Sequence, residues 1–183
     1  MVNFKKNISL LPYNTFGINV KTSAFIQVRK TDHLLNALKK KSFEKILVIG
    51  QGSNILFTKD YPGLIILMDN HGIEIIKENQ KEVIVKVQSG ENWHQFVLWC
   101  LKNNYGGVEN LALIPGKVGA APIQNIGAYG VEIKDVFLSC NTLELSSLTF
   151  KEFNLDECSF GYRDSVFKSK LKGKYIITSV TLK

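Results

Sequence analysis

LALIPGKVGAAPIQNIGAYG, residues Leu111 to Gly130, suits neither a helix nor a strand. It holds Gly116, Gly119, Gly127 and Gly130, the alanines Ala120, Ala121 and Ala128, the amides Gln124 and Asn125, and almost no charge. Each glycine loses more backbone entropy on ordering than a residue with a Cβ, so a dense run persists only where backbone must pass close to something. A flexible linker is one reading, but linkers are polar and rich in Ser, Lys and Glu. This run carries Leu111, Leu113, Ile114, Val118, Ile123, Ile126 and Tyr129. It is therefore expected to be a buried loop that holds a large ligand through backbone N–H groups.

The flanks set this loop among strands and a helix. Before it, Asn92 caps a helix whose Trp93, Phe96, Val97, Cys100 and Leu101 share one face, ending at Asn103-Asn104 and Gly106. That stripe reads as core, and His94, off it, as solvated. After the loop, Val136–Leu145 and Leu148–Phe153 form a hairpin turning at Ser146-Ser147, and Tyr175–Leu182 is a strand. Earlier still, Gly72–Lys77 and Glu82–Val87 alternate as half-exposed strands about a polar turn. The composition shifts between Asp69 and Gly72, which divides the chain into 1–70 and 71–183. In the first part Pro12–Ile18 is irregular, Ser23–Lys30 a strand, and Thr31 the cap of a short helix carrying Leu34, Leu35, Ala37 and Leu38 before Ser42. Lys45–Ile49 is a continuous apolar run expected to be buried on both faces under helices, and Gly63–Asp69 is another apolar strand.

Two short motifs have open readings. Gly50-Gln51-Gly52-Ser53-Asn54-Ile55-Leu56 follows a strand and can present successive N–H groups to an anion, yet the third glycine and the helix of a dinucleotide fingerprint are missing. An ordinary turn fits it as well. In Ser159-Phe160-Gly161-Tyr162-Arg163-Asp164-Ser165, the guanidinium of Arg163 is suited to fixing a carboxylate or an enolate. A surface arginine paired with Asp164 is the alternative. His33, His71 and His94 stand apart, no Cys or His pair has metal-ligand spacing, and neither a P-loop nor a nucleophile elbow is present.

The 183 residues carry a formal charge of +7, but the lysines are scattered, with local runs only at Lys39, Lys40, Lys41 and at Lys168, Lys170, Lys172, Lys174. That pattern argues against a nucleic-acid face and suits a basic surface that favours polyanionic small molecules. Cys100, Cys140 and Cys158 are odd in number and far apart, which points to a reducing compartment, the cytoplasm. No apolar run has the length of a membrane span or a secretory signal.

NTFGI (14–18), GQGSNILF (50–57), GENWHQFV (90–97), ENLALIPGKVGAAPIQNIGAYG (109–130) and FGYRDSVFK (160–168) together closely resemble the UDP-N-acetylenolpyruvoylglucosamine reductases, the MurB flavoenzymes of bacterial peptidoglycan synthesis. The blocks keep the family's order across nearly the whole chain, and PIQNIGAYG resembles the type I branch. The resemblance implies an α+β, FAD-binding fold of the vanillyl-alcohol-oxidase/PCMH type, with FAD held between two subdomains. It implies that Gly50, Gln51, Gly52, Ser53, Asn54, Ile55 and Leu56 wrap the pyrophosphate. Ile114, Pro115, Gly116, Gly119, Ala120, Ala121, Ile123, Gln124, Asn125, Ile126, Gly127, Ala128, Tyr129 and Gly130 would line the rest of the cofactor.

The implied chemistry passes a hydride from NADPH to FAD and then to the enolpyruvyl group of a UDP-sugar, giving UDP-N-acetylmuramate. Arg163 matches the family's catalytic arginine, and Tyr162 a neighbour at the substrate, which favours the enolate reading of Arg163. Members of the family continue well beyond this length, with a substrate-binding third domain that supplies a proton-donating Ser and a late Glu. Neither is assignable here, so two expectations stand: a reductase whose remaining parts lie elsewhere, on the same or a separate chain, or an FAD-binding module without turnover. Neither a nucleic-acid nor a membrane partner is expected.

Overall fold

The structure is a computed structural model that describes residues 4–40 and 43–183. Lys41, in the basic run, and Ser42, the expected limit of the first helix, lie outside the described residues. The chain separates into two compact units, Met1–Asn70 and His71–Lys183.

The first unit is built on β1 (Lys5–Ser9), β2 (Lys21–Val28), α1 (Thr31–Lys40), β3 (Ile46–Ile49) and β4 (Tyr61–Met68). The sheet order is β1-β2-β4-β3, with β1 antiparallel to β2 and both β2 and β3 parallel to β4. Leu34, Ala37 and Leu38 are buried on one side of α1, the three- and four-residue spacing that brings side chains onto one helical face. The helix begins at Thr31 itself, with the Lys30 carbonyl accepting from the amides of His33 and Leu34, one residue earlier than a Thr31 cap requires.

Burial within this sheet corrects the reading of Lys45–Ile49. β3 is an edge strand in which only Ile49 is fully buried, whereas β4, paired on both sides, is buried from Gly63 to Met68. An apolar run reports that a strand is covered somewhere, while its place in the sheet is set by its pairing partners. Phe25, Ile65 and Leu67 pack with Leu10, Ile49 and Phe57 as the core of this unit.

The second unit contains β5 (Ile73–Glu78), β6 (Val83–Gln88), α2 (Trp93–Lys102), β7 (Gly127–Ala128), β8 (Val131–Glu132), β9 (Phe137–Glu144), β10 (Phe150–Asn154), α3 (Leu155–Cys158) and β11 (Tyr175–Leu182). Its five-stranded sheet is antiparallel throughout, in the order β10-β9-β11-β6-β5, and β7 and β8 make a separate small ribbon. The Asn92 side chain accepts from the Gln95 amide and starts α2, as the sequence predicts. Trp93, Phe96, Val97 and Cys100 are buried from it, but Leu101 is 46% exposed, so the apolar stripe ends one residue sooner than its spacing suggests. No helix among the described residues is long and apolar enough to cross a membrane.

Candidate functional site

In the first unit, Gly50–Leu56 leaves β3 as a turn with no regular secondary structure. Gly52 has φ +69° and is buried. A Cβ there would land on the carbonyl oxygen of Tyr13 and come within 2.8 Å of the Asn14 Cα. The turn therefore rests on the 13–15 segment, and the Gly52 carbonyl accepts from the Thr15 amide at 3.2 Å. That segment is itself knotted by Asn14, whose amide group donates to the carbonyls of Leu10 and Ile18 and accepts from the Ile18 amide. The NTFGI motif is thus the seat of the glycine turn. Gln51, Asn54 and Leu56 are exposed on the turn's outer side.

In the second unit, the run from Leu111 to Gly130 is sewn to the start of α2. The Trp93 indole donates to the Leu111 carbonyl at 2.8 Å, and the Trp93 amide to the Gly116 carbonyl at 3.0 Å. The amides of Val118 and Gly119 donate to the carbonyls of Glu91 and Ser89, each at 2.9 Å. A Cβ on Gly119 would run into Ser89, 3.1 Å from its Cα, and one on Gly127 would stand 3.0 Å from the Val131 carbonyl. These two glycines face the chain's own backbone, while Gly116 (φ +130°) and Gly130 (φ +81°) serve turns. Close approach to the chain's own backbone at Ser89 and Val131 thus accounts for two of these glycines, Gly119 and Gly127.

Burial along the run is mixed. Leu111, Val118, Ala121, Asn125 and Ile126 are buried, as expected of a buried loop, but Leu113 is 78% and Tyr129 88% exposed. His94, expected to be solvated, is half-buried and accepts from the Leu113 amide at 3.2 Å, steadying that residue at φ +61°.

The third component is the 159–165 turn. Gly161 and Asp164 exchange backbone hydrogen bonds of 3.0 and 3.2 Å, and Arg163 sits between them at φ +52°. Its guanidinium donates to the Gly127 carbonyl at 2.7 Å, so the contact is with the glycine loop rather than the pairing with Asp164 that local spacing allows. Ser165 is buried and donates to the Ile123 carbonyl at 2.7 Å. Asn125, fully buried at φ +44°, donates to the Gly161 carbonyl at 2.9 Å and accepts from the Lys134 amide at 3.3 Å. Its side chain is therefore committed to the protein. Left-handed backbone at non-glycine residues stores strain that the surroundings must hold, and Leu113, Asn125, Tyr129 and Arg163 all show it here.

Within the second unit a concavity of about 440 Å³ opens between the 127–135 segment and the 159–165 turn, lined by Gly127 to Glu132, Lys134, Asp135, Tyr162 and Arg163. Its volume falls in the ~300–1,000 Å³ range of ligand sites. Tyr162 is 86% exposed at its edge. Lys134 pairs with Glu132, whose carboxylate pushes the ammonium above its ordinary value. A larger concavity of about 570 Å³, lined by the Glu78–Val83 turn, Asn103–Gly106 and Lys183, contains none of the expected site residues. Among the expected site residues, Gly127, Ala128, Tyr129, Gly130, Tyr162 and Arg163 line the smaller one, which makes it the candidate site.

Tyr162, Arg163 and the Gly127–Gly130 hairpin are brought together. Ile114, Pro115, Gly116, Gly119, Ala120, Ala121, Ile123, Gln124 and Ile126 lie on the loop behind that hairpin and do not line the concavity. The seat under Gly52 and the amide of Asn125 were not singled out from sequence for these roles. Asn125's ease with left-handed backbone was the available signal.

Comparison with known proteins places these features. The chain is 50% identical over 182 residues to the UDP-N-acetylenolpyruvoylglucosamine reductase of Flavobacterium johnsoniae, covering 100% of this chain and 54% of that protein. It is 45% identical over 181 residues to the Pseudomonas putida enzyme of the same name, covering 98% of this chain and 53% of the relative. The chain thus spans about half the length of the curated relatives it matches. Among solved structures, the reductase from Thermus caldophilus aligns with TM-score 0.78 at 24% identity, over 100% of this chain and 62% of that one. A solvent-stable cholesterol oxidase aligns at 0.64 and 15% identity, over 98% and 37%. Both show the fold. Residues 22–145 match the family described as an FAD binding domain, and the chain belongs to that family.

Proposed function

We propose that this chain is the FAD-holding part of a UDP-N-acetylenolpyruvoylglucosamine reductase, one that uses NADPH to reduce the enolpyruvyl group of a UDP-sugar. The observation that carries the reading is the Arg163 guanidinium, anchored on the Gly127 carbonyl at 2.7 Å in a turn that lines the same concavity as the glycine hairpin. Similarity along the whole chain to enzymes of that name supports it.

The residues present suit an extended, doubly anionic cofactor. Gly50–Leu56 offers a glycine turn seated from below, and the Gly127–Gly130 hairpin offers backbone with no bulky side chain before Tyr129. In this reading Gly50, Gln51, Gly52, Ser53, Asn54, Ile55 and Leu56 take the pyrophosphate. The outer edge of 127–130 takes the flavin end, and residues 114–126 support that edge from behind. FAD, when bound, supplies the hydride chemistry. Arg163 has one N–H on Gly127 and further donors in its planar fork for an oxygen on which negative charge develops. Tyr162, exposed beside it, is placed to meet the substrate. Ser165, buried with its hydroxyl donating to the Ile123 carbonyl, is not assigned as a proton donor. We place the reaction in the cytoplasm, where the unpaired thiols of Cys100, Cys140 and Cys158 persist.

The coverage of about half the relatives' length favours a second reading, a module that holds FAD without turnover. Purification of the chain, reconstitution with FAD and anaerobic addition of NADPH followed by the enolpyruvyl UDP-sugar separates the two. Flavin absorbance that bleaches with NADPH and returns with substrate supports the reductase. Bound flavin that never returns supports the module, and a colourless chain overturns both.

A further inference from the structure

We propose that Asn125 is a positioning residue for Arg163: a buried amide that sets the direction of the guanidinium by holding the 161–164 turn against the Gly127 hairpin. The inference rests on the reading of Arg163 as the group that meets developing negative charge. Three side-chain bonds join the two segments, Ser165 to the Ile123 carbonyl at 2.7 Å, Asn125 to the Gly161 carbonyl at 2.9 Å and Arg163 to the Gly127 carbonyl at 2.7 Å. Ser165 and Asn125 are both buried, so of the three only Arg163 is open to a ligand.

Asn125 holds a special place among them because its amide is used at both ends. Nδ2 donates to Gly161, and Oδ1 accepts from the Lys134 amide on the far side of the ribbon that carries Gly127. One planar group thereby spans from the turn that bears Arg163 to the hairpin on which Arg163 rests. The Gly161 carbonyl also accepts from the Asp164 amide, and the Gly161 amide donates to Asp164, so residues 161–164 move as one unit. Fixing Gly161 fixes Arg163. Arg163 needs that support: its backbone is left-handed, its side chain is exposed, and without the turn held in place its bond to Gly127 competes with the many rotamers of a long exposed arginine. The Lys168 ammonium, donating to the Arg163 carbonyl at 2.7 Å, sits on the surface where water competes for it.

The chain contains two arginines, Arg29 and Arg163, so selective ¹⁵N labelling of arginine gives an uncluttered test. Arg29, 3.7 Å from Asp69 in the first unit, is the internal reference. Asn125→Gly removes the amide while accommodating the left-handed backbone, and Asn125→Asp keeps the acceptor for Lys134 but loses the donor to Gly161. In the unsubstituted chain the Arg163 guanidinium should give restrained signals. In both variants these should move to the positions of free arginine while the Arg29 signals and the far-UV circular dichroism that reports folding stay unchanged.

An Arg163 signal unmoved in the folded variants overturns the proposal. If Asn125→Gly unfolds, Asn125→Asp decides, and if both unfold, Asn125 serves stability alone and the proposal fails. In whatever form of the protein turns over, Asn125→Gly should lower kcat about a hundredfold, the scale of an ångström-sized misplacement. The labelled signal is read with no cofactor or substrate present, so its failure leaves the reductase reading standing. Conversely, a restrained Arg163 in a chain that never reacts overturns only that reading.

Discussion

At the residue scale, glycines that look alike in sequence are required for different reasons, and their replacement should separate accordingly. Gly119→Ala drives a methyl into Ser89, and Gly52→Ala drives one onto the Tyr13–Asn14 backbone while also straining a φ of +69°. Each should cost about 2–3 kcal/mol or more, since neither neighbour is a yielding side-chain tip. Gly130→Ala meets no atom within 4 Å and bears only the strain of its φ of +81°, about 1 kcal/mol. Thermal or urea unfolding of the three variants checks the order, and equal losses would contradict it. Arg163→Lys belongs at this scale too. A single ammonium cannot rest on Gly127 and also present a fork, so turnover should fall about a hundredfold or more with flavin content retained, as measured by absorbance and steady-state kinetics. The partner of Arg163 was not legible in the sequence: Asp164 is adjacent, whereas Gly127 lies 36 positions away and is reached only because Asn125 and Ser165 fold one turn over the other.

At the scale of elements, the β9–β10 hairpin and α3 contribute to the acid sensitivity of the second unit, alongside Glu82, which its hydrogen bond from Lys77 also holds below the ordinary carboxylate value. Glu144 is held below its ordinary value of 4.5 chiefly by the Ser147 hydroxyl, and Glu157 chiefly by the Asn154 backbone amide in a reciprocal cap, with Lys151 assisting. A carboxyl lowered in the folded state binds protons more tightly when unfolded. Its contribution is therefore complete above about pH 4.5 and is lost as pH falls through the lower folded values. Melting temperature should be level near neutrality and decline below that point. Glu144→Gln should reduce the decline, and a slope identical to that of the unsubstituted chain would refute the assignment. Elements themselves were largely legible: β2, β4, α2, β9 and β11 lie within a few residues of where alternation and capping put them. What alternation could not supply was rank within a sheet. Ile46–Ile49 is as apolar as a central strand, yet it takes the edge because β4 pairs with both β2 and β3. The small ribbon β7–β8 left no periodic trace, since strands of two residues are too short to show one.

Across the molecule, all three thiols are buried and unpaired. Burial pushes the Cys100 thiol up to about 12, and Cys140 is pushed well above its usual range by its hydrogen bond with Cys158 and by burial. Thiolate is the reactive form. A disulfide reagent at about pH 8 should therefore find almost no thiol in the native chain and all three after denaturation; rapid native labelling would show that the core opens. The position of β11 has a different kind of consequence. It is the last strand in the chain but the middle one of its sheet, antiparallel to both β9 and β6. During synthesis β5–β6 and β9–β10 can each close as a hairpin, but no strand pairs one with the other until residues 175–182 have left the ribosome. The five-stranded sheet is therefore completed only when β11 is made, and a nascent chain stalled before Tyr175 would present two open sheet edges to chaperones and proteases.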